Sequence, residues 1–140
     1  MIRFQQLPED IEQRLPLASE YLRSHPKVVF AYLFGGLARG ERRPLSDVDI
    51  AVCLADTVGA ADAKLDILGK MIDILGTDEI DLVILNTASP ALAMNVLRKK
   101  RVVADNNPAM RHRFESLAFK KYFDFLPVEL GMLTKRVANG

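Results

Sequence analysis

The sequence predicts an α/β fold of the α+β kind, a small mixed β-sheet with flanking helices and a helical C-terminus. Three observations predict it. The stretches "KVVFAYLF", "DVDIAVCL" and "EIDLVIL" have the length and β-branched content of strands. Apolar residues between and after them recur at helical spacing, and Pro, Gly or Asn marks most of the junctions. A chain of 140 residues lies in the single-domain range and is long enough to bury one substantial core.

Within residues 8–24, Ile11, Leu15, Ala18 and Leu22 share one helical face, and Pro8 and two acids stand near the start, where the helix dipole favours them. Pro16 is a point of bending or restart. "KVVFAYLF" has no polar alternation, as expected of a strand buried on both faces. "DVDIAVCL" does alternate: Val48, Ile50, Val52 and Leu54 point one way, and Asp47, Asp49, Ala51 and Cys53 the other. Residues 60–75 carry Leu65, Leu68, Met71, Ile72 and Leu75 as the expected core face of a helix ending near Gly76. "EIDLVIL" gives a third strand. "SPALAMNVLRKK" pairs a Ser cap with Pro at the first helical position, and "RVVAD" is a short strand. Asn107-Pro108 opens a helix to about Phe125, and Pro127 opens a last one. The whole of 1–140 is expected to be one domain. Its aromatic-rich helices, about 108–138, are read either as core or as an element that docks a second chain.

With 19 basic and 18 acidic residues the net charge is +1, so no global field draws the chain to nucleic acid or to an anionic membrane. Direct nucleic-acid binding is not expected. No apolar stretch reaches the ~18 residues of a membrane span, and the N-terminus lacks the apolar core of a signal peptide. The lone Cys53 fits a reducing, cytoplasmic setting and reads as a packing residue. His25 and His112 have no ligand-like companions and read as structural.

The stretch that carries chemistry is "FGGLARGERRPLSDVDIAV", residues 34–52. It is not a P-loop, because Glu41 and Arg42 stand where Lys and Ser/Thr are needed. Its glycines, Gly35, Gly36 and Gly40, miss the Rossmann spacing, and a Ca²⁺ loop from Asp47 would meet Ala51 and Val52 where a ligand and a glycine belong. A fourth reading keeps the pieces together. Gly35 and Gly36 let the chain turn after a buried strand with its amides exposed, and "LARG" forms a helical turn facing an anion. Asp47 and Asp49, two residues apart on one strand face, have Cα atoms roughly 6.5–7 Å apart and converge on one Mg²⁺ or bridge two.

A glycine pair, ten intervening residues, D-x-D and a later strand-borne acid resemble the signature of the nucleotidyltransferase superfamily related to DNA polymerase beta. More closely, the stretch resembles the minimal nucleotidyltransferases (MNT-type antitoxins), short bacterial proteins paired with helical HEPN-type ribonuclease toxins. The resemblance implies a polymerase beta-like fold in which Asp47 and Asp49 bind Mg²⁺, and Asp81 completes the site and helps to activate the acceptor hydroxyl. Asp81 is preferred over Asp78 and Glu79 because it lies inside the apolar strand, where a carboxylate has no cheap reason to be. Gly35, Gly36, Arg39 and Ser46 fall at nucleotide-binding positions, with an ion pair from Arg39 to Glu41 or Asp47, and a turn or cap role for Ser46, left open. Arg42 and Arg43 read as a solvated loop tip. Gly36 stands where family members usually have Ser, so the backbone amide is kept and the hydroxyl is absent.

The function implied is Mg²⁺-dependent transfer of AMP from ATP to a protein hydroxyl. The acceptor would be a tyrosine of a cognate HEPN-type toxin held in a hetero-oligomer, as in type VII toxin–antitoxin pairs. Two alternatives stay open: an antitoxin that neutralises its partner by binding alone, and a nucleotidyltransferase for an aminoglycoside-like small molecule. A homodimer is also left open.

Overall fold

The computed structural model describes residues 8–38 and 48–139. Helix α1 (Ile11–Ser24) is followed by strand β1 (Val28–Phe34), the single turn α2 (Gly35–Ala38) and strand β2 (Val48–Leu54). Then come helix α3 (Ala60–Leu75), strand β3 (Ile80–Ile84), a 3-10 turn at Leu85–Thr87, helix α4 (Pro90–Arg98), strand β4 (Arg101–Asp105) and helix α5 (Pro108–Asn139). The strands form one mixed sheet in the order β3-β2-β1-β4. β1 is antiparallel to β2 and to β4, and β2 is parallel to β3, with α3 supplying the crossover that a parallel pair needs. This is the α+β architecture expected.

Three layers follow from the residue pattern. β1 is buried along its whole length. On one face of the sheet, Val48, Ile50, Val52 and Leu54 of β2 pack with Ile11, Leu15, Ala18 and Leu22 of α1 and with α3. On the other, Ala51 and Cys53 pack with Phe30 and Tyr32 of β1, Ala93, Val96 and Leu97 of α4, and Ala118 of α5. The alternation read from "DVDIAVCL" therefore sorts β2 correctly onto two covered faces. β1 carries an irregularity between Val28 and Phe30, where it advances by two residues against one of β2. Val29 and Phe30 consequently join the same core. Cys53 is buried, and desolvation raises its thiol to about 11, as suits a packing residue.

Local signals hold at most junctions. Ser89 accepts a hydrogen bond from the Leu92 amide at 3.1 Å with Pro90 just inside α4, and Asn107 Oδ1 accepts from the Met110 amide at 3.2 Å. α3 ends at Gly76, whose φ of +70° is left-handed and whose Cα faces the Arg14 guanidinium, with Cζ 3.0 Å from where a Cβ would stand. α1 runs unbroken through Pro16.

Two expectations are corrected. The buried stripe of α3 is Ala63, Ile67, Met71 and Leu75, whereas Leu65 is 68% exposed. Met71 and Leu75 are buried as expected and Leu68 packs against the core, so the difference is at the start of the helix, where Ala63 and Ile67 face the sheet in place of Leu65. The C-terminal segment is one helix through Pro127, not two. A proline removes one backbone donor from a helix of 32 residues, and the neighbouring turns carry the helix across the gap. No helix among the described residues is long and apolar enough to cross a membrane.

Candidate nucleotidyltransferase site

The site residues gather at one end of the sheet because of register. β1 ends at Phe34, which lies opposite Asp49 of β2, and Asp49 lies opposite Asp81 of β3. The Val48 amide donates to the Glu79 carbonyl at 2.9 Å, fixing the start of that parallel pairing. Parallel partners point to the same side of a sheet, so Asp49 and Asp81 present carboxylates from neighbouring strands roughly 4.8 Å apart. That side is the one shared with Ala51 and Cys53, under α4 and α5.

Gly35 is the third corner. Its φ is +73°, and a Cβ built on it would collide with Asp49 Oδ2 and stand 3.4 Å from Asp49 Cγ. The carboxylate of Asp49 thus lies directly on the backbone where α2 begins, a place open only to glycine. Gly36 follows within the same turn. Asp47, Arg39 and Ser46, with Glu41, Arg42 and Arg43, lie outside the described residues.

The structure places Asp81 beside Asp49, but the reason given for choosing it is corrected. Asp81 is exposed, because β3 is an edge strand, and the acid of this segment that is buried is Glu79, 7% exposed. A carboxylate inside an apolar run carries little burial cost when the run lies at a sheet edge. Among the described residues no group of three or more His, Cys, Asp or Glu is gathered closely enough to hold a metal. The pair Asp49 and Asp81 nevertheless has the right donor chemistry for Mg²⁺, which takes one or two carboxylates and completes its shell with substrate phosphates and water.

A polar cluster behind the site has no counterpart in the sequence reading. Tyr32, on the same face as Phe34, donates its hydroxyl to Glu115 Oε2 at 2.8 Å. Lys100 Nζ reaches the same oxygen at 2.6 Å, and Arg111 Nη1 lies 3.1 Å from it while its Nε pairs with Asp105 at 3.0 Å. Burial pushes the Glu115 carboxyl up, but the hydrogen bonds from Lys100 and Tyr32 outweigh it and hold the group below its usual value. Burial and the bond to Glu115 raise the Tyr32 phenol strongly. The cluster ties α5 to β1 and to the start of β4. The Arg111–Glu115 spacing of four on a helix is its only local trace in the sequence. Glu115→Ala, which strands these cations in a partly buried setting, should cost roughly 3 kcal/mol in a denaturant melt. Because the folded-state pKa of Glu115 is depressed, its contribution is present above about 4.5 and lost as pH falls through the lowered value, so the Glu115→Ala penalty should shrink in acid.

The model of the family "Polymerase beta, Nucleotidyltransferase" matches residues 18–109, which hold the whole sheet and both acid-bearing strands. The chain belongs to this nucleotidyltransferase family. Among curated proteins, this nucleotidyltransferase is similar to the protein adenylyltransferase MntA of Shewanella oneidensis, 39% identical over 72 residues. That match spans 51% of this chain and 50% of the relative, so the chain spans about half the length of the curated protein it matches. Among solved structures, a toxin–antitoxin complex with AMP-PNP aligns with TM-score 0.68 and 26% identity over 91% of this chain and 98% of that one. A complex of tri-AMPylated Shewanella oneidensis HEPN toxin with MNT antitoxin aligns with TM-score 0.67 and 25% identity over 91% and 98%. The four-stranded mixed sheet with its helices is thus the polymerase beta-like fold of these nucleotidyltransferases.

Proposed function

We propose that this nucleotidyltransferase is the antitoxin of a type VII pair, transferring AMP from ATP to a tyrosine hydroxyl of a HEPN-type ribonuclease toxin in the cytoplasm. The observation that carries the reading is the Asp49 carboxylate lying on the Gly35 backbone and in register with Asp81. Amides of the Gly35-Gly36 turn bind the triphosphate, with Arg39 and Ser46 beside it. Asp47, Asp49 and Asp81 would hold Mg²⁺, which would supply charge neutralisation at the phosphates. The acceptor oxygen attacks the α-phosphorus as pyrophosphate leaves, with Asp81 either completing the metal site or taking the acceptor's proton. Such chemistry depends on positioning and on fixed charge.

The similarity to toxin–antitoxin complexes supports a protein acceptor. On α5, Phe119 and Phe123 stack with ring centres 6.4 Å apart and are 45% and 59% exposed, and we assign this pair to contact with the toxin. A second reading, neutralisation by binding alone, is favoured by one feature, Gly36 in place of the usual Ser.

Co-expression of the chain with a HEPN-type toxin, followed by the toxin's intact mass, tests the proposal. The expected result is a gain of whole AMP units on the toxin. A toxin that is silenced without any mass change would overturn transfer in favour of binding alone, and calorimetry with ATP and Mg²⁺ should then show no metal-dependent binding.

A further inference from the structure

Beneath α4 and α5, on the face of the sheet that carries Asp49, lies a partly open cavity of about 360 Å³. Its floor includes Cys53, four residues along β2 from Asp49, or about 13 Å of extended strand. None of Gly35, Asp49 and Asp81 lines it, so it is separate from the carboxylate pair. Small side chains make the room: Ala93 and Ala118 stand where larger residues would close the two helices onto the sheet. Leu85, Phe114 and Leu117 give the walls an apolar surface. The volume falls in the range of roughly 300–1,000 Å³ that small-molecule sites occupy.

The elements around the cavity are fixed without a ligand. Asn86 Oδ1 accepts from the Leu54 amide at 2.8 Å and its Nδ2 donates to the Leu54 carbonyl at 2.9 Å, which pins the 3-10 turn to the end of β2. Phe114 rests against Phe30 of β1 with ring centres 5.4 Å apart, which seats α5 on the sheet. The lining also has a sign. Cys53 is a buried thiol, the Asn86 amide is already paired, and Lys121 is the one charged side chain among the lining residues. Lys121 is exposed and forms no ion pair among the described residues, so its ammonium is open to an anion at the mouth. Its apolar surroundings leave little water to compete for that charge.

We infer that this cavity binds a small organic anion, an aromatic body of one or two rings whose carboxylate pairs with Lys121. The apolar walls take the rings, and burial of their surface supplies the affinity. The buried part of the lining holds no side-chain hydroxyl and no unpaired side-chain amide with which to recognise a sugar or a nucleobase, and the one free charge selects an anion over a neutral or cationic compound. Leu117 and Lys121 belong to α5, the helix that also carries Phe119 and Phe123, so an occupant would stand between the sheet and the helix assigned to the toxin. The binding itself does not depend on the transfer reaction.

Calorimetry on the full chain with naphthoate, and with the neutral naphthylmethanol as its counterpart, tests the assignment. Naphthoate should bind once per chain, with a Kd about tenfold or more below that of the alcohol. Lys121→Glu, an exposed change that leaves the cavity its shape, should abolish this preference while the Kd of the alcohol stays as it was. Ala118→Phe, which fills the cavity, should weaken both compounds about tenfold or more in a protein whose thermal melt shows it folded. If that variant does not fold, the Lys121→Glu comparison decides alone. A preference for the anion that survives Lys121→Glu would overturn the pairing. Equal binding by wild type and a folded Ala118→Phe would place the compound elsewhere, and binding of neither compound at millimolar concentration would remove the site.

Discussion

Asp49→Asn is expected to slow Mg²⁺-dependent AMP transfer about a thousandfold or more, a loss of ~4 kcal/mol in transition-state stabilisation, while the chain stays folded. Asn keeps the shape of the side chain beside Gly35 and opposite Phe34, so the sheet register has little reason to change. It cannot supply the negative charge that a phosphate-bound divalent ion requires. Asp81→Asn should produce a loss of similar kind, and the double variant should lose little more than either one, because groups that act as one unit are not additive. Removal of divalent ions with a chelator should mimic the single variant. Transfer of labelled nucleotide from ATP, measured beside a thermal melt, checks this. A rate within tenfold of wild type in a folded Asp49→Asn protein would remove the residue from the site.

Gly35→Ala should be nearly as damaging and by a different route. At φ +73° an L-residue costs about 1–2 kcal/mol more than glycine, and the added methyl would occupy the space of Asp49 Oδ2. The carboxylate must therefore shift or the turn must reshape. Since misplacement by about 1 Å can cost a hundredfold in rate, the expected outcome is a comparable fall in transfer with a modest fall in melting temperature. Gly36→Ser is the informative contrast. Gly36 is not among the positive-φ glycines of the described residues, so a serine meets no left-handed backbone strain there, and it restores the hydroxyl usual in the family. Gly35→Ala and Gly36→Ser behaving alike would show that the close approach of Asp49 to Gly35 has no bearing on the site.

Much of the fold was legible because local pattern and packing agree. The four buried residues of α1, the two-sided burial of β1 and the alternation of β2 all appear in the sequence as they do in space. Strand alternation placed Asp49 on the face opposite Ile50, whereas Asp81 lies in register beside it on an edge strand, exposed where the sequence suggested burial. In α3 only the first turns were misread, with Leu65 taken for Ala63 and Ile67, because apolar residues stand on two faces there and only contact with the sheet decides between them. The helix through Pro127 escaped a rule about how helices begin, which says nothing of a helix already long. The Tyr32–Glu115 bond joins residues 83 apart, and no local spacing announces it.

The strand order β3-β2-β1-β4 also governs how the protein can be made. β1 leaves the ribosome before its neighbours, yet it becomes an inner strand flanked by β2 and by β4, the last strand synthesised. Until Pro90–Arg98 and then Ala118 have emerged, Phe30, Tyr32 and Phe34 lack the cover that α4 and α5 provide. Gly35, just after β1, and the strands that carry Asp49 and Asp81 are complete by Ile84, so these parts of the site are translated well before the hydrophobic face beneath α4 and α5 is closed. A nascent chain stalled between these points would hold its carboxylates with an apolar sheet still open to aggregation, which makes this interval the one in which a chaperone matters most.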